Sequence, residues 1–263
     1  MPASLIPTSP NSQLYKDAEN RFWSDWKGPY TKPSVVNVFY INHQRQQVWN
    51  NYDAYSKKVG NEKYMYHGAT RACNLGDDNY QVIACQLVNC DVCSILRASI
   101  DPLILDPLSK FGLGAYVAPN SSKSANPTRY LKNANPTQSP NLVLLRCAVA
   151  LGNTYYTKKA MLVTKPPDGY DSAITKLNGG IVKYSESVVF KRDAVLPVEV
   201  IVLRFPGSPG IPANPYSNFT KRLKNISGGE FQTGINVPNP YVTLTKVKLC
   251  GQMETHHSLF VSV

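Results

Sequence analysis

The chain has 263 residues and carries 28 Lys and Arg against 17 Asp and Glu, a net charge of +11. That length suits one well-packed domain with an appendage, or two small ones, and 43% hydrophobic with 10% aromatic residues exclude a wholly disordered chain. Sixteen Gly and 20 Pro without a G-X-Y period exclude a collagen-like chain, and the best apolar run, Leu142 to Leu151, is interrupted by Arg146 and falls short of a membrane-spanning helix.

Residues 1–34 are polar and punctuated by Pro, apart from Phe22, Trp23 and Trp26, which are expected to anchor this arm on the domain. Val35 to Ile41 (VVNVFYI) is β-branched and aromatic and predicts a buried first strand. Val48, Tyr52, Tyr55 and Val59 then step by four, three and four along one helical face, with Asn42 as the expected N-cap. Tyr64 to His67 predicts a short strand ending at Gly68. Gln81 to Ser99, apolar with polar interruptions, predicts a helix carrying Cys90 and Cys93 one turn apart. Phe111 to Ala118 (FGLGAYVA) starts with two glycines and ends in a short strand, and Leu142 to Leu151 predicts another strand. Pro166, Pro167 and Gly169 mark a turn. Tyr184 to Phe190 and Val198 to Phe205 predict two further strands joined around Pro197, and Tyr241 to Leu249 alternates well enough for one more. The expected organisation is an arm over 1–34, a domain over 35–205 with more strand than helix, and a Pro/Gly/Asn-rich extension over 206–263.

The basic balance points to an anionic partner, nucleic acid among the candidates, or else to a solvated face that aids solubility. The basic pairs Lys57-Lys58, Lys158-Lys159, Lys191-Arg192 and Lys221-Arg222 are scattered, with no dense run. The first residues lack the charged and apolar regions of a signal peptide. Six unevenly spaced Cys do not form a secreted disulfide pattern. An intracellular setting, nucleus or cytoplasm, is expected, with no membrane partner.

Three stretches taken together resemble the poly(ADP-ribose) polymerase catalytic domain. They are Tyr66-His67-Gly68-Ala69-Thr70-Arg71; Phe111-Gly112-Leu113-Gly114-Ala115-Tyr116-Val117-Ala118 followed by Ser122-Lys123-Ser124; and Tyr184-Ser185-Glu186-Ser187-Val188-Val189-Phe190. They look like that family's His-Gly, Gly-x-Gly-x-Tyr with Ser-Lys-Ser, and Tyr-x-Glu-x-Val-Val blocks, in the family's order. Pro166 to Ser172 (PPDGYDS) is similar to the turn before the family's last strands. Arg71 to Gly76 with Cys90 to Leu96 (CDVCSIL) looks like a fungal branch in which the catalytic domain stands nearly alone.

The resemblance implies an α+β ADP-ribosyltransferase fold of two packed, mainly antiparallel sheets with flanking helices and NAD in the cleft between them. It implies transfer of ADP-ribose from NAD, as substrate, to an acceptor protein or a growing ADP-ribose chain, with release of nicotinamide. No long helical stretch precedes the first strand, so an open cleft without a helical autoinhibitory domain is expected. The chemistry suits a single carboxylate. Nicotinamide leaves ribose C1′ as an already cationic pyridinium, so no general acid is needed, unlike ordinary glycoside hydrolysis. What remains is an oxocarbenium-like centre to stabilise and an acceptor to activate.

By resemblance, Glu186 accepts a hydrogen bond from the nicotinamide-ribose 2′-hydroxyl and helps polarise the acceptor. His67 bonds the adenosine-ribose 2′-hydroxyl as a neutral imidazole, and the Gly68 backbone pairs with the carboxamide. Tyr116 packs against the nicotinamide-ribose region, and Ser124 donates to the carboxamide oxygen. The implied catalytic set is Glu186, His67 and Tyr116, and the implied NAD-binding set is His67, Gly68, Tyr116, Ser124 and Tyr130. Four departures stand out. Pro127 occupies the place of the family's stacking Tyr, so Tyr130 would serve across a three-residue insertion. Ala69 stands for a small hydroxyl residue, and Ala115 and Phe190 replace the commoner Ile and Tyr. They leave open a second reading, a catalytically silent module that binds NAD, ADP-ribose or nucleic acid.

Cys73, Cys85, Cys90 and Cys93 would supply enough thiolates for a zinc site. A helix carrying Cys90 and Cys93 as small buried hydrophobes fits the pattern as well and is awkward for closing a tetrahedron. The expectation is therefore no metal, with zinc as the alternative.

Overall fold

The structure is a computed structural model that describes residues 4–43, 47–103, 111–126, 139–157, 163–175 and 184–206. The chain divides into Met1–Ala213 and Asn214–Val263, and all the described residues belong to the first. Tyr130 and the strand expected over Tyr241 to Leu249 lie outside them, as does the 206–263 extension beyond Pro206.

Two sheets form the frame. The larger is built from β1 (Ser4–Pro7), β2 (Ser34–Asn42), β3 (Glu62–Gly68), β5 (Leu142–Ala150) and β9 (Val195–Arg204), in the order β1-β2-β9-β5-β3, all neighbours antiparallel. The smaller contains β4 (Ala115–Val117), β6 (Thr154–Thr157), β7 (Ser172–Thr175) and β8 (Ser187–Val189), in the order β4-β8-β7-β6. Among its described strands, β6 and β7 form the one parallel pair. β5 and β9 read as near-continuous apolar runs because they lie mid-sheet and are covered on both faces.

Arg146, the one polar interruption of β5, sits opposite Glu199 of β9 and pairs with it at 3.1 Å. The same carboxylate takes Arg21 at 2.9 Å from α1 (Gln13–Ser24), and Glu199 itself is buried. A buried carboxylate of this kind needs its partners, so Arg21 ties α1 to the sheet while Arg146 pairs with Glu199 from the neighbouring strand.

Several sequence expectations are corrected. The arm over 1–34 carries β1 and α1. Tyr15, Ala18 and Phe22 form a narrow buried stripe at spacings of three and four, and Ser12 caps the helix by accepting the Tyr15 N–H at 3.2 Å. Three apolar contacts in an otherwise polar segment are a faint signal. Asn42 ends β2 rather than capping a helix, and α2 spans Gln47–Val59. The helix expected over Gln81 to Ser99 is only α3 (Asp91–Ala98). Residues 81–90 are apolar but not periodic, and Ile83, Leu87 and Val88 point to solvent. The strand expected over Tyr184 to Phe190 is β8 alone, and Pro197 lies inside β9 rather than between two strands. There the register shifts, with Arg146 opposite Glu199 and Cys147 opposite Pro197. Such a bulge spares the missing proline N–H from the ladder.

Candidate functional site

β3 is one edge of the large sheet and β4 one edge of the small sheet. A pair of backbone bonds stitches the two edges: Tyr66 N–H donates to Ala118 O at 2.7 Å and Ala118 N–H returns to Tyr66 O at 3.0 Å. The His-Gly, Gly-x-Gly-x-Tyr and Tyr-x-Glu blocks of the sequence meet at this seam.

The two glycines of the Gly-x-Gly block are required by contact. Gly112 has φ +82°, and a Cβ there would lie 1.9 Å from Val163 O, while Leu113 N–H bonds that same carbonyl at 2.9 Å. A Cβ on Gly114 would come within 2.3 Å of Val188 Cγ1, so its absence lets β4 close on β8. Tyr116 then pairs with Val188 and Val117 with Ser187, which fixes where Glu186 emerges.

Glu186 lies just before β8, with its backbone tied to the end of β7. Its N–H donates to Thr175 Oγ1 at 2.8 Å, and its carbonyl accepts the Thr175 N–H at 2.9 Å. Its carboxylate forms an ion pair with Lys123. Lys123 belongs to α4 (Ser121–Ser124), a single turn positioned from the other side of the seam. Ser124 Oγ donates to Tyr66 O at 3.0 Å, and His67 Nδ1 lies 2.8 Å from Tyr116 O. A closed circuit results: His67 to Tyr116, across β4 and β8 to Glu186, to Lys123 and Ser124, and back to Tyr66 beside His67.

The tail of the N-terminal helix braces that turn. Ser121 Oγ donates to Phe22 O at 2.8 Å, Ser121 N–H to Asp25 O at 3.2 Å, and Ser122 Oγ to Lys27 O at 2.6 Å. Asp25 also accepts the Tyr66 hydroxyl at 2.9 Å. Burial and the neighbouring Asp25 push the Tyr66 phenol far up, so it stays a neutral donor.

Electrostatically the site turns on Lys123. Burial lowers its ammonium to about 8. It is therefore protonated at neutral pH and loses its charge as pH rises through about 8. The His67 contact settles a tautomer: a carbonyl only accepts, so Nδ1 carries the proton and Nε2 is the acceptor in the neutral ring.

The structure thus gathers His67, Gly68, Tyr116, Ser124 and Glu186 around one seam, while Tyr130 lies outside the described residues. The Tyr116 hydroxyl is engaged locally, accepting from Phe111 N–H at 3.0 Å and donating to Gly112 O at 2.8 Å, so it closes the Gly-x-Gly turn. Sequence reasoning passed over two residues that contact Glu186. Lys123 was visible only as the middle of a motif, and Thr175 carried no signal at all. The four sulfurs of Cys73, Cys85, Cys90 and Cys93 lie within 4.8 Å of one another and are the only metal-capable cluster among the described residues.

A family model, the poly(ADP-ribose) polymerase catalytic domain, matches residues 12–216. The match begins at the N-cap of α1 and takes in every residue of the seam. No curated protein matches the chain.

Proposed function

This chain belongs to the poly(ADP-ribose) polymerase catalytic-domain family, and from that premise we propose that it transfers ADP-ribose from NAD to an acceptor and releases nicotinamide. The two-sheet α+β architecture is the ADP-ribosyltransferase fold of that family. The observation that supports activity in this chain is the circuit that brings Glu186, through Lys123 and Ser124, to the same seam as His67 and Tyr116.

In the proposed step the C1′–N bond breaks, and its electron pair neutralises the pyridinium as nicotinamide leaves. An acceptor nucleophile forms the new bond to C1′ and gives up its proton to solvent by way of the Glu186 carboxylate. Glu186, itself half-buried, supplies the negative charge that the oxocarbenium-like centre needs. Its carboxylate also accepts the ribose 2′-hydroxyl and polarises the incoming nucleophile. Lys123 holds that carboxylate and Thr175 holds the Glu186 backbone, and neither reacts. Ser124 and the Gly68 backbone would bond the carboxamide, and the Nε2 acceptor of His67 suits a ribose hydroxyl. Tyr116 shapes the pocket wall through the turn it closes. The acceptor is a protein side chain or an ADP-ribose chain, and an intracellular setting, nucleus or cytoplasm, would supply both NAD and reducing conditions for the five described thiols.

Labelled-NAD transfer by the wild type and by Glu186→Gln tests this reading, with NAD binding followed separately by calorimetry. Transfer by the wild type that collapses in the variant supports the enzyme. Binding without transfer in both supports the catalytically silent module that the departures at Pro127 and Ala69 leave open.

A further inference from the structure

Between Gly68 at the end of β3 and Asp91 at the start of α3 the chain forms no helix or strand, only an isolated bridge from Ile83 to Ser4. Irregular segments this long are uncommon inside a compact domain unless something other than backbone pairing holds them. Yet Ala72, Leu75, Val82 and Ala84 from this segment are buried in the main core. Beyond scattered backbone bonds such as Leu5 N–H to Val82 O and Gly76 N–H to Gln81 O, its ordering comes from side chains.

Three of those side chains, together with one from α3, are cysteines drawn to one point. Cys73 and Cys85 come from the irregular segment, Cys90 is the N-cap of α3, and Cys93 lies in its first turn. The shortened helix removes the geometric objection raised by the sequence. Cys90 no longer sits on a helical face and is free to turn its sulfur toward the loop. Cys73 Sγ lies 3.7 Å from Cys90 Sγ and 3.5 Å from Cys93 Sγ, and the four sulfurs lie within 4.8 Å of one another. A tetrahedron with zinc–sulfur bonds of about 2.3 Å has sulfurs about 3.8 Å apart. The sulfurs therefore stand close to the edges of that tetrahedron and are not bonded to one another.

The surroundings suit a thiolate cluster. The Ala72 N–H donates to Cys90 Sγ at 3.4 Å, the kind of outer contact that orients a metal-bound sulfur. Arg97 donates to the Cys85 carbonyl, bringing a cation to the cluster's edge, where four thiolates on a divalent ion would leave two negative charges. Cys90 and Cys93 are fully buried, while Cys73 and Cys85 are half-buried, so the cluster is shielded but can be reached.

We propose that Cys73, Cys85, Cys90 and Cys93 bind one structural Zn2+ as an all-thiolate tetrahedral site that pins the irregular 69–90 segment to the N-terminus of α3. Zinc is chosen over harder cations because four sulfur donors with no oxygen favour a soft or borderline ion, and all four positions are taken by protein. With no open position the ion is structural, and its binding energy is folding energy for a segment without a ladder of its own. The inference is independent of the transferase reading.

Elemental analysis of the full chain, purified without chelator, is expected to give one zinc per chain. A mercurial thiol reagent should release it, with a fall in melting temperature. Cys73→Ser and Cys90→Ser should lose the zinc. Cys147→Ser, which alters a buried cysteine outside the cluster, and Glu186→Gln should both retain it. Should a cluster variant fail to fold, the wild type exchanged with Co2+ provides the second measurement, and intense tetrahedral cobalt–thiolate absorption is expected. Three results would overturn the proposal: metal-free protein with all cluster thiols titratable, a mass two hydrogens short that marks a disulfide, or iron in place of zinc.

Discussion

The two regions on either side of Gly68 are held by different means. From Glu62 to Gly68 the chain is set by ladder bonds to β5 and by the double bond to Ala118, so the position of His67 follows from strand register. From Ala69 to Cys90 no ladder exists, and position depends on buried polar and sulfur side chains. Arg71 is the clearest case. Its guanidinium is buried and bonds Asp77 at 2.9 Å, the Asn141 carbonyl at 3.1 Å, Ser139 and the Leu75 carbonyl. A register tolerates the loss of one side chain, because its neighbours keep their backbone bonds. A side-chain hub does not. The lesson is that the β3 edge and its flank should fail differently.

The largest expected effect tests the flank. Arg71→Met leaves Asp77 buried beside Ser139 and Asn141 without its cation, and breaking such a pair costs about 3–5 kcal/mol. Urea denaturation should show the loss as a lower midpoint. A change within about 0.5 kcal/mol, the range of ordinary surface substitutions, would mean that the segment is held by something else.

Next comes the seam at that edge. Glu186→Gln keeps the side-chain shape and removes the charge, and should cut turnover by roughly 10²-fold or more while NAD affinity and the urea midpoint stay nearly unchanged. The two substitutions together separate the regions: one moves stability, the other moves rate. Equal turnover in wild type and Glu186→Gln would take the carboxylate out of the mechanism.

How far the sequence disclosed each region follows from the same contrast. The β5 run LVLLRCAVA announced itself because a mid-sheet strand must be apolar on both faces, and even its Arg146 has a strand partner in Glu199. The motif residues His67, Tyr116 and Glu186 were legible as local patterns. The contacts that hold them were not. Lys123 meets Glu186 across 63 positions and Ser121 meets Phe22 across 99, and no local spacing encodes such pairs. In residues 81–90, apolar content without a 3.6 period passed for helix, and only the cysteine spacing hinted at a different device.

A smaller effect is expected at Thr175. Its Oγ1 accepts the Glu186 N–H, and the residue is buried at the end of β7. Thr175→Val preserves the strand and its volume but removes that acceptor, a change worth about 1 kcal/mol, or roughly fivefold. The loss should appear in kcat with KM for NAD unchanged, because the residue positions the carboxylate and does not touch substrate. A fall confined to KM would place Thr175 in binding instead.

The smallest effect at neutral pH, and the sharpest in sign, concerns Lys123. Burial lowers its ammonium to about 8, so it is protonated and paired with Glu186 below that pH and becomes a neutral amine as pH rises through it. If the ion pair orients the carboxylate, kcat falls above about pH 8 while protein stability shows no matching collapse. Lys123→Arg keeps the cation at every accessible pH, since a guanidinium stays protonated to above pH ~12. The variant should match the wild type closely at pH 7 and lose the descending limb above pH 8. A limb that survives in Lys123→Arg belongs to another group, and the seam would then owe its carboxylate geometry to the β7–β8 backbone bonds alone.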